Sequence, residues 1–175
     1  MRTFAAILLG GWLIGSIVVG AAAAQNFYMI DKLLNSVESP RPFLNITARM
    51  ESGEARGILR FLVSELNRYY FRTWEWVEIL FGAILLFLAY KYFGDKKLII
   101  GFAVMLGIVL LMSFYITPQM IDVGRKLDFV PRDPAPPELS WFGMLHGLYS
   151  VLDLIMLVIG IWMSVLLAKI PDLKR

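Results

Sequence analysis

Leu98 to Ile121 reads LIIGFAVMLGIVLLMSFYITPQMI, and no charged side chain interrupts it. A helix needs about 20 apolar residues to cross roughly 30 Å of hydrocarbon, and lipid satisfies no backbone polar group left unbonded. This stretch therefore reads as a membrane span. Three companions flank it. Thr3 to Ile30 carries no charge, and Leu139 to Ala168 is broken only by Asp153. Trp74 to Phe93 is less apolar, with a charge-free core from Ile79 to Tyr90. Its ends carry Trp74 and Trp76 on one side and Tyr90 and Tyr92 on the other, as interfacial aromatic belts do.

The whole composition agrees. Of 175 residues, 58% are hydrophobic and 18% charged, and mean hydropathy is +0.66, which a water-soluble domain of this size would not show. The expectation is an all-α integral membrane four-helix bundle forming a single domain over 1–175. Its spans are set at about 4–24, 74–93, 98–120 and 139–168, with outer connections at about 25–73 and 121–138. Arg2 before an apolar run and Ala22-Ala23-Ala24 before Gln25 have the features of a secretory signal. The run is longer than a signal core, so it is expected to stay as the first helix.

Four spans place the N-terminus, the connection between the second and third spans, and the C-terminus on one side. That side carries Arg2, Lys91, Lys96, Lys97, Lys169, Lys174 and Arg175 against Asp95 and Asp172, so it is expected to be cytoplasmic. The net charge of +3 and pI near 9.2 are then a topology signal. No clustered basic face points to nucleic acid. The expected partners are the lipid bilayer and other membrane subunits.

The connection at 25–73 is too long to be structureless. Ile58, Leu59, Leu62, Leu66 and Tyr69 recur at helical spacing among Arg56, Arg60, Glu65 and Arg68, which predicts an amphipathic helix continuing into the second span. Pro118 is expected to kink or stop the third helix, with a short helix over Met120 to Lys126 beyond it. Ser140 or Asp133 is expected to begin the fourth. The glycines, among them Gly10, Gly11, Gly15, Gly20, Gly143 and Gly147, are expected to let helices approach closely within the bundle.

Polar groups at bilayer depth cost several kcal/mol unless paired or facing a cavity. On the fourth helix His146, Tyr149, Ser150 and Asp153 share one stripe. Glu78 and His146 both lie about 10 Å below the outer surface, and the antiparallel third helix brings Tyr115 and Gln119 to that level. The candidate site is a pocket open to the outer side, built from Glu78, Tyr115, Gln119, His146, Tyr149 and Asp153. Such a pocket suits a small cation or polar solute, with carboxylates for charge and an imidazole that titrates near neutral pH. Alternatively these side chains satisfy one another and fix helix register.

Other chemistry has less to stand on. A lone histidine cannot make a bis-His haem site, although His146 could ligate a haem or chlorophyll, with Met144 or another methionine as a second ligand. No cofactor is expected. The absence of cysteine excludes disulfides, thiolate metal sites and cysteine nucleophiles. There is no His-Glu-x-x-His, no Gly-x-Ser-x-Gly and no phosphate-cradling glycine loop, so no enzymatic activity is expected.

Several segments in order resemble one family. They are Gln25-Asn26-Phe27, Ser64-Glu65-Leu66-Asn67-Arg68-Tyr69-Tyr70-Phe71 running into Trp74-Glu75, Thr117-Pro118 ahead of Arg125, and Phe142-Gly143-Met144-Leu145-His146-Gly147-Leu148-Tyr149-Ser150. Together they look like the bacterial four-helix membrane family of unknown function related to the mammalian cisplatin-resistance-associated transmembrane protein. The resemblance implies a bacterial inner-membrane protein without established enzymatic activity. An accessory or structural subunit of a larger respiratory or photosynthetic complex is the alternative expectation.

Overall fold

The computed structural model describes residues 1–51 and 53–170. Lys174, Arg175 and Asp172, counted above in the charge balance, lie outside the described residues. Among the described residues six α-helices run in the order α1 (Arg2–Asn35), α2 (Arg41–Thr47), α3 (Glu54–Leu88), α4 (Lys96–Leu111), α5 (Thr117–Lys126) and α6 (Glu138–Lys169). A π-helical turn at Ala89–Phe93 ends α3, and another at Met112–Ile116 joins α4 to α5. Four continuous helical stretches, Arg2–Asn35, Glu54–Phe93, Lys96–Lys126 and Glu138–Lys169, are long and apolar enough to cross a membrane.

These stretches form an up-down-up-down bundle. Both α1 and α4 pack against α3 and against α6. The Arg2 guanidinium donates to the Ile170 carbonyl at 2.7 Å, which puts the chain's start and the end of α6 at one end of the bundle. The turn between α3 and α4 lies at the same end. There Gly94 takes φ +65°, and Asp95 caps α4 by accepting from the Lys97 and Leu98 amides.

The connection expected at 25–73 is mostly helix. At about 1.5 Å per residue α1 is about 51 Å long and α3 about 52 Å, so both outrun a hydrocarbon core of about 30 Å. Their outer turns pair side by side. Asn67 donates to the Ala23 carbonyl at 3.1 Å and accepts from Asn26 at 2.8 Å, and Arg56 forms an ion pair with Asp31. The amphipathic segment is the outer part of α3, continuous with the span. At the head of α6 neither Asp133 nor Ser140 caps the helix. Pro137 precedes it without a side-chain cap, and the Ser140 hydroxyl donates to the Pro137 carbonyl.

Pro118 does not stop its helix, and the π-turn explains why. The Thr117 amide bonds to the Met112 carbonyl, one residue further back than in an α-helix. The Ser113 carbonyl thereby loses Thr117, and its π-type partner would be Pro118, which has no N–H. Arg72 fills the vacancy by donating to the Ser113 carbonyl at 3.1 Å. We expect Arg72→Met to destabilise the protein by about 1–3 kcal/mol, the cost of an orphaned buried carbonyl. In a Pro118→Ala background, where an amide is again present, the cost should shrink. A double-mutant cycle on unfolding in detergent reads the difference, and additive effects would refute the capping role.

Two apolar clusters divide the interior. The inner one joins all four membrane helices, with Leu9 and Trp12 of α1, Leu85 of α3, Phe102 and Met105 of α4, and Met163 and Leu167 of α6. The outer one holds Met112, Ile116, Val123, Leu127, Leu145 and Tyr149, and α1 contributes nothing to it. At that level α1 presents Gly20, Ala23 and Ala24, too small to reach across. A cavity lies there.

Candidate functional site

The inward face of α3 sets the site. Its buried residues are Asn67, Glu75, Glu78, Gly82, Leu85 and Leu88, spaced by threes, a four and one double step, so two carboxyl groups stand on consecutive turns of a face that is glycine and leucine inward of them and asparagine outward. Both are fully enclosed, at 0% and 1% exposure. Burial on this scale requires partners. Glu78 finds them on α1, where its Oε1 accepts from Trp12 Nε1 and Ser16 Oγ, each at 2.9 Å. Trp74 Nε1 donates to Ser16 Oγ at 3.2 Å and extends the network. Glu75 Oε1 accepts from the Thr117 hydroxyl, with Ser113 and Tyr149 beside the same carboxyl. Glu75 Oε2, Glu78 Oε2 and Ser113 Oγ remain buried without a hydrogen-bond partner among the described residues.

Outward of this pair the cavity encloses about 760 Å³. Its walls come from α1, α3, α5, α6 and the segment 127–132. Thr117 and Tyr149, the residues that touch or flank Glu75, line it, as do His146, Ser150 and Asp153. Asp153 makes no hydrogen bond or ion pair among the described residues and lies close enough to Glu78 for their charges to interact. The His146 ring stacks on Phe142 at 6.1 Å with 7° between planes, and Tyr149 meets Phe71 edge-on at 5.5 Å.

Nearer the mouth, Arg68 makes a two-pronged pair with Asp128 at 3.0 and 3.1 Å and a further pair with Glu65. Gly124 makes room for it, since a β-carbon there would stand 3.3 Å from the guanidinium.

The six residues singled out in the sequence separate into three groups. His146, Tyr149 and Asp153 line one cavity. Glu78 lies behind it and turns to α1, with no contact to His146. Tyr115 and Gln119 are not part of it, which corrects the expectation. Tyr115 is 64% exposed on the outer surface, and Gln119 bonds back to its carbonyl at 3.2 Å. Helical residues two apart point in nearly opposite directions, and the inward places go to Ile116 and Thr117.

Sequence reasoning missed Glu75, Arg68, Asn67, Ser16 and Trp12. Glu75 was detectable, because it precedes Glu78 by three and Gly82 by seven and so must share their face. Trp12 and Ser16 carried no such signal, since apolar and small residues occur throughout α1.

Chemically the arrangement is a receptacle. The Ser150 hydroxyl donates to the His146 carbonyl at 2.9 Å, within the helix, so it makes no serine–histidine dyad with the ring. Met144 sits two residues from His146 and is 56% exposed on another face, so the two cannot ligate one iron. Among the described residues no three acidic or histidine side chains gather closely enough to hold a metal ion. Comparison with protein families, with curated proteins and with solved structures finds no match.

Proposed function

We propose that this chain is a non-enzymatic multi-pass protein of the bacterial inner membrane, with cytoplasmic termini, whose outer cavity binds a small cation or polar solute. The carrying observation is the unpartnered Asp153 carboxylate on the wall of a cavity of about 760 Å³. A membrane protein keeps an unpaired carboxylate at depth where something else supplies the partner. The orientation rests on the basic side chains at the inner end, Arg2, Lys91, Lys96, Lys97 and Lys169 against Asp95. Membership of the four-helix family named above is part of the same reading and rests on the quoted segments.

The test is a titration of the purified protein in nanodiscs with sodium, ammonium and guanidinium chloride, read by tryptophan fluorescence because Trp12 and Trp74 bond into the acidic network. Saturable binding is expected, weakened at least about tenfold by Asp153→Asn and by His146→Ala. If both variants bind as the wild type does, the reading is wrong.

A second reading, an accessory subunit of a larger complex, draws on Gly143 and Gly147. Among the described residues nothing lies within 4 Å of a β-carbon at either position, so they pack against no described helix, contrary to expectation. Small residues four apart on an outward face suit a partner helix. Recovery of this chain alone after mild detergent extraction would count against that reading.

A further inference from the structure

Resting on the reading of the outer cavity as a binding site, we propose that its ligand is a lipophilic organic cation, an ammonium or phosphonium centre carried on an apolar, preferably aromatic body. Size and wall chemistry support this. The volume of about 760 Å³ falls within the roughly 300–1,000 Å³ of pockets for drug-sized ligands. The walls include Phe61, Phe71, Met120, Leu139 and Phe142. A bare metal cation would instead need oxygen ligands gathered around it, and no cluster of acidic or histidine groups that could hold one occurs among the described residues.

Charge changes sign with depth. Arg60 and Arg132 line the outer part of the cavity with no acidic partner among the described residues, Arg132 donating to the Leu127 carbonyl, and Arg68 is engaged by Asp128 and Glu65. Deeper, Asp153 is unpaired, and Glu75 and Glu78 stand behind the wall with one unpartnered oxygen each. Arg72 donates to the Ser113 carbonyl and its charge acts on Glu75, so Glu78 and Asp153 are the acidic groups without a basic neighbour among the described residues. Along α3 Arg60 lies about 22 Å from Glu75 at 1.5 Å per residue, so rim charge does not cancel the acidic floor. An anion entering this depth meets repulsion, and a neutral molecule offers Asp153 at most a hydrogen bond without a compensating charge. A cation with an apolar body satisfies both the carboxylate and the walls, and the faces of Phe142 and Tyr149 add cation–π attraction.

Tetraphenylphosphonium and tetraphenylborate have the same shape and opposite charge, which makes them the deciding pair of probes. Radiolabelled probes are bound to the wild-type protein in nanodiscs, with empty nanodiscs subtracted. Tetraphenylphosphonium should bind saturably and at least about tenfold more tightly than tetraphenylborate. Tetramethylammonium, which has the charge without the body, should compete weakly. Asp153→Asn should remove most of the charge preference, and Phe142→Ala should weaken the phosphonium more than tetramethylammonium.

Equal or tighter binding of the borate overturns the proposal, and because that comparison uses the wild type it stands even if a variant fails to fold. Phosphonium affinity unchanged in a folded Asp153→Asn protein overturns it as well. Should guanidinium or sodium bind in an Asp153-dependent manner while the phosphonium does not, this inference falls and the reading of the cavity as a cation site survives. Should none of them bind, this inference and the reading of the cavity as a cation site both fall.

Discussion

Gly15→Ala should destabilise the protein by about 3 kcal/mol, whereas Gly10→Ala on the same helix should leave stability unchanged or raise it by up to about 1 kcal/mol. A β-carbon at Gly15 would overlap the Trp74 indole, which can move aside only by giving up its own contacts. Its Nε1 donates to Ser16 Oγ, and its ring packs edge-on against Phe81 at 6.5 Å. Moving it breaks the hydrogen bond and disturbs the Ser16 hydroxyl that supports Glu78. At Gly10 nothing lies within 4 Å, so only the helix preference of alanine remains. Unfolding of the two variants in detergent, followed by near-ultraviolet circular dichroism of the tryptophans, separates them. Equal effects would mean that α1 and α3 do not meet at Gly15.

That contrast shows where a sequence stops being readable. The four spans were legible because the bilayer imposes one long apolar run per crossing, a constraint independent of tertiary detail. The amphipathic start of α3 was legible for a similar reason, since Ile58, Leu62, Leu66 and Tyr69 repeat with the helix. The glycines were not. Gly10, Gly15, Gly143 and Gly147 look alike as letters, yet only Gly15 of these four meets another helix closely. Which neighbour lies opposite depends on helix rotation, and hydropathy in lipid says little about rotation.

The site divides along the same line. The stripe from His146 to Asp153 follows from helix periodicity, and the structure places its members along one cavity. Tyr115 and Gln119 failed because matching depth says nothing about azimuth, and because the π-turn at Met112–Ile116 shifts the register that a regular helix would impose. The acidic pair needed both helices to be seen. Glu75 and Glu78 acquire their meaning from Thr117 of α5 and from Trp12 and Ser16 of α1, partners far away in the chain.

Arg68→Met should be a damaging change near the cavity, at about 2–3 kcal/mol, because it leaves the part-buried Asp128 unpaired. Arg68 and Asp128 side chains are 14% and 16% exposed, so water relieves only part of that loss. The pair also holds the segment that closes one side of the cavity. Just past Asp128, Phe129 sits at φ +60°, a conformation unfavourable for a bulky residue, and its ring rests on Phe61 at 5.1 Å. Without the ion pair, that ring contact and the burial of Leu127 at the segment's start are what keep it down. Hydrogen exchange over residues 127–132 should therefore rise sharply in Arg68→Met while the inner cluster around Phe102 and Met163 stays protected. Replacing both partners, in Arg68→Met with Asp128→Leu, should recover a large part of the lost stability, because no uncompensated charge remains buried. A double variant as unstable as Arg68→Met would show that Arg68 acts through Glu65 or through packing, and that Asp128 is not what anchors the rim.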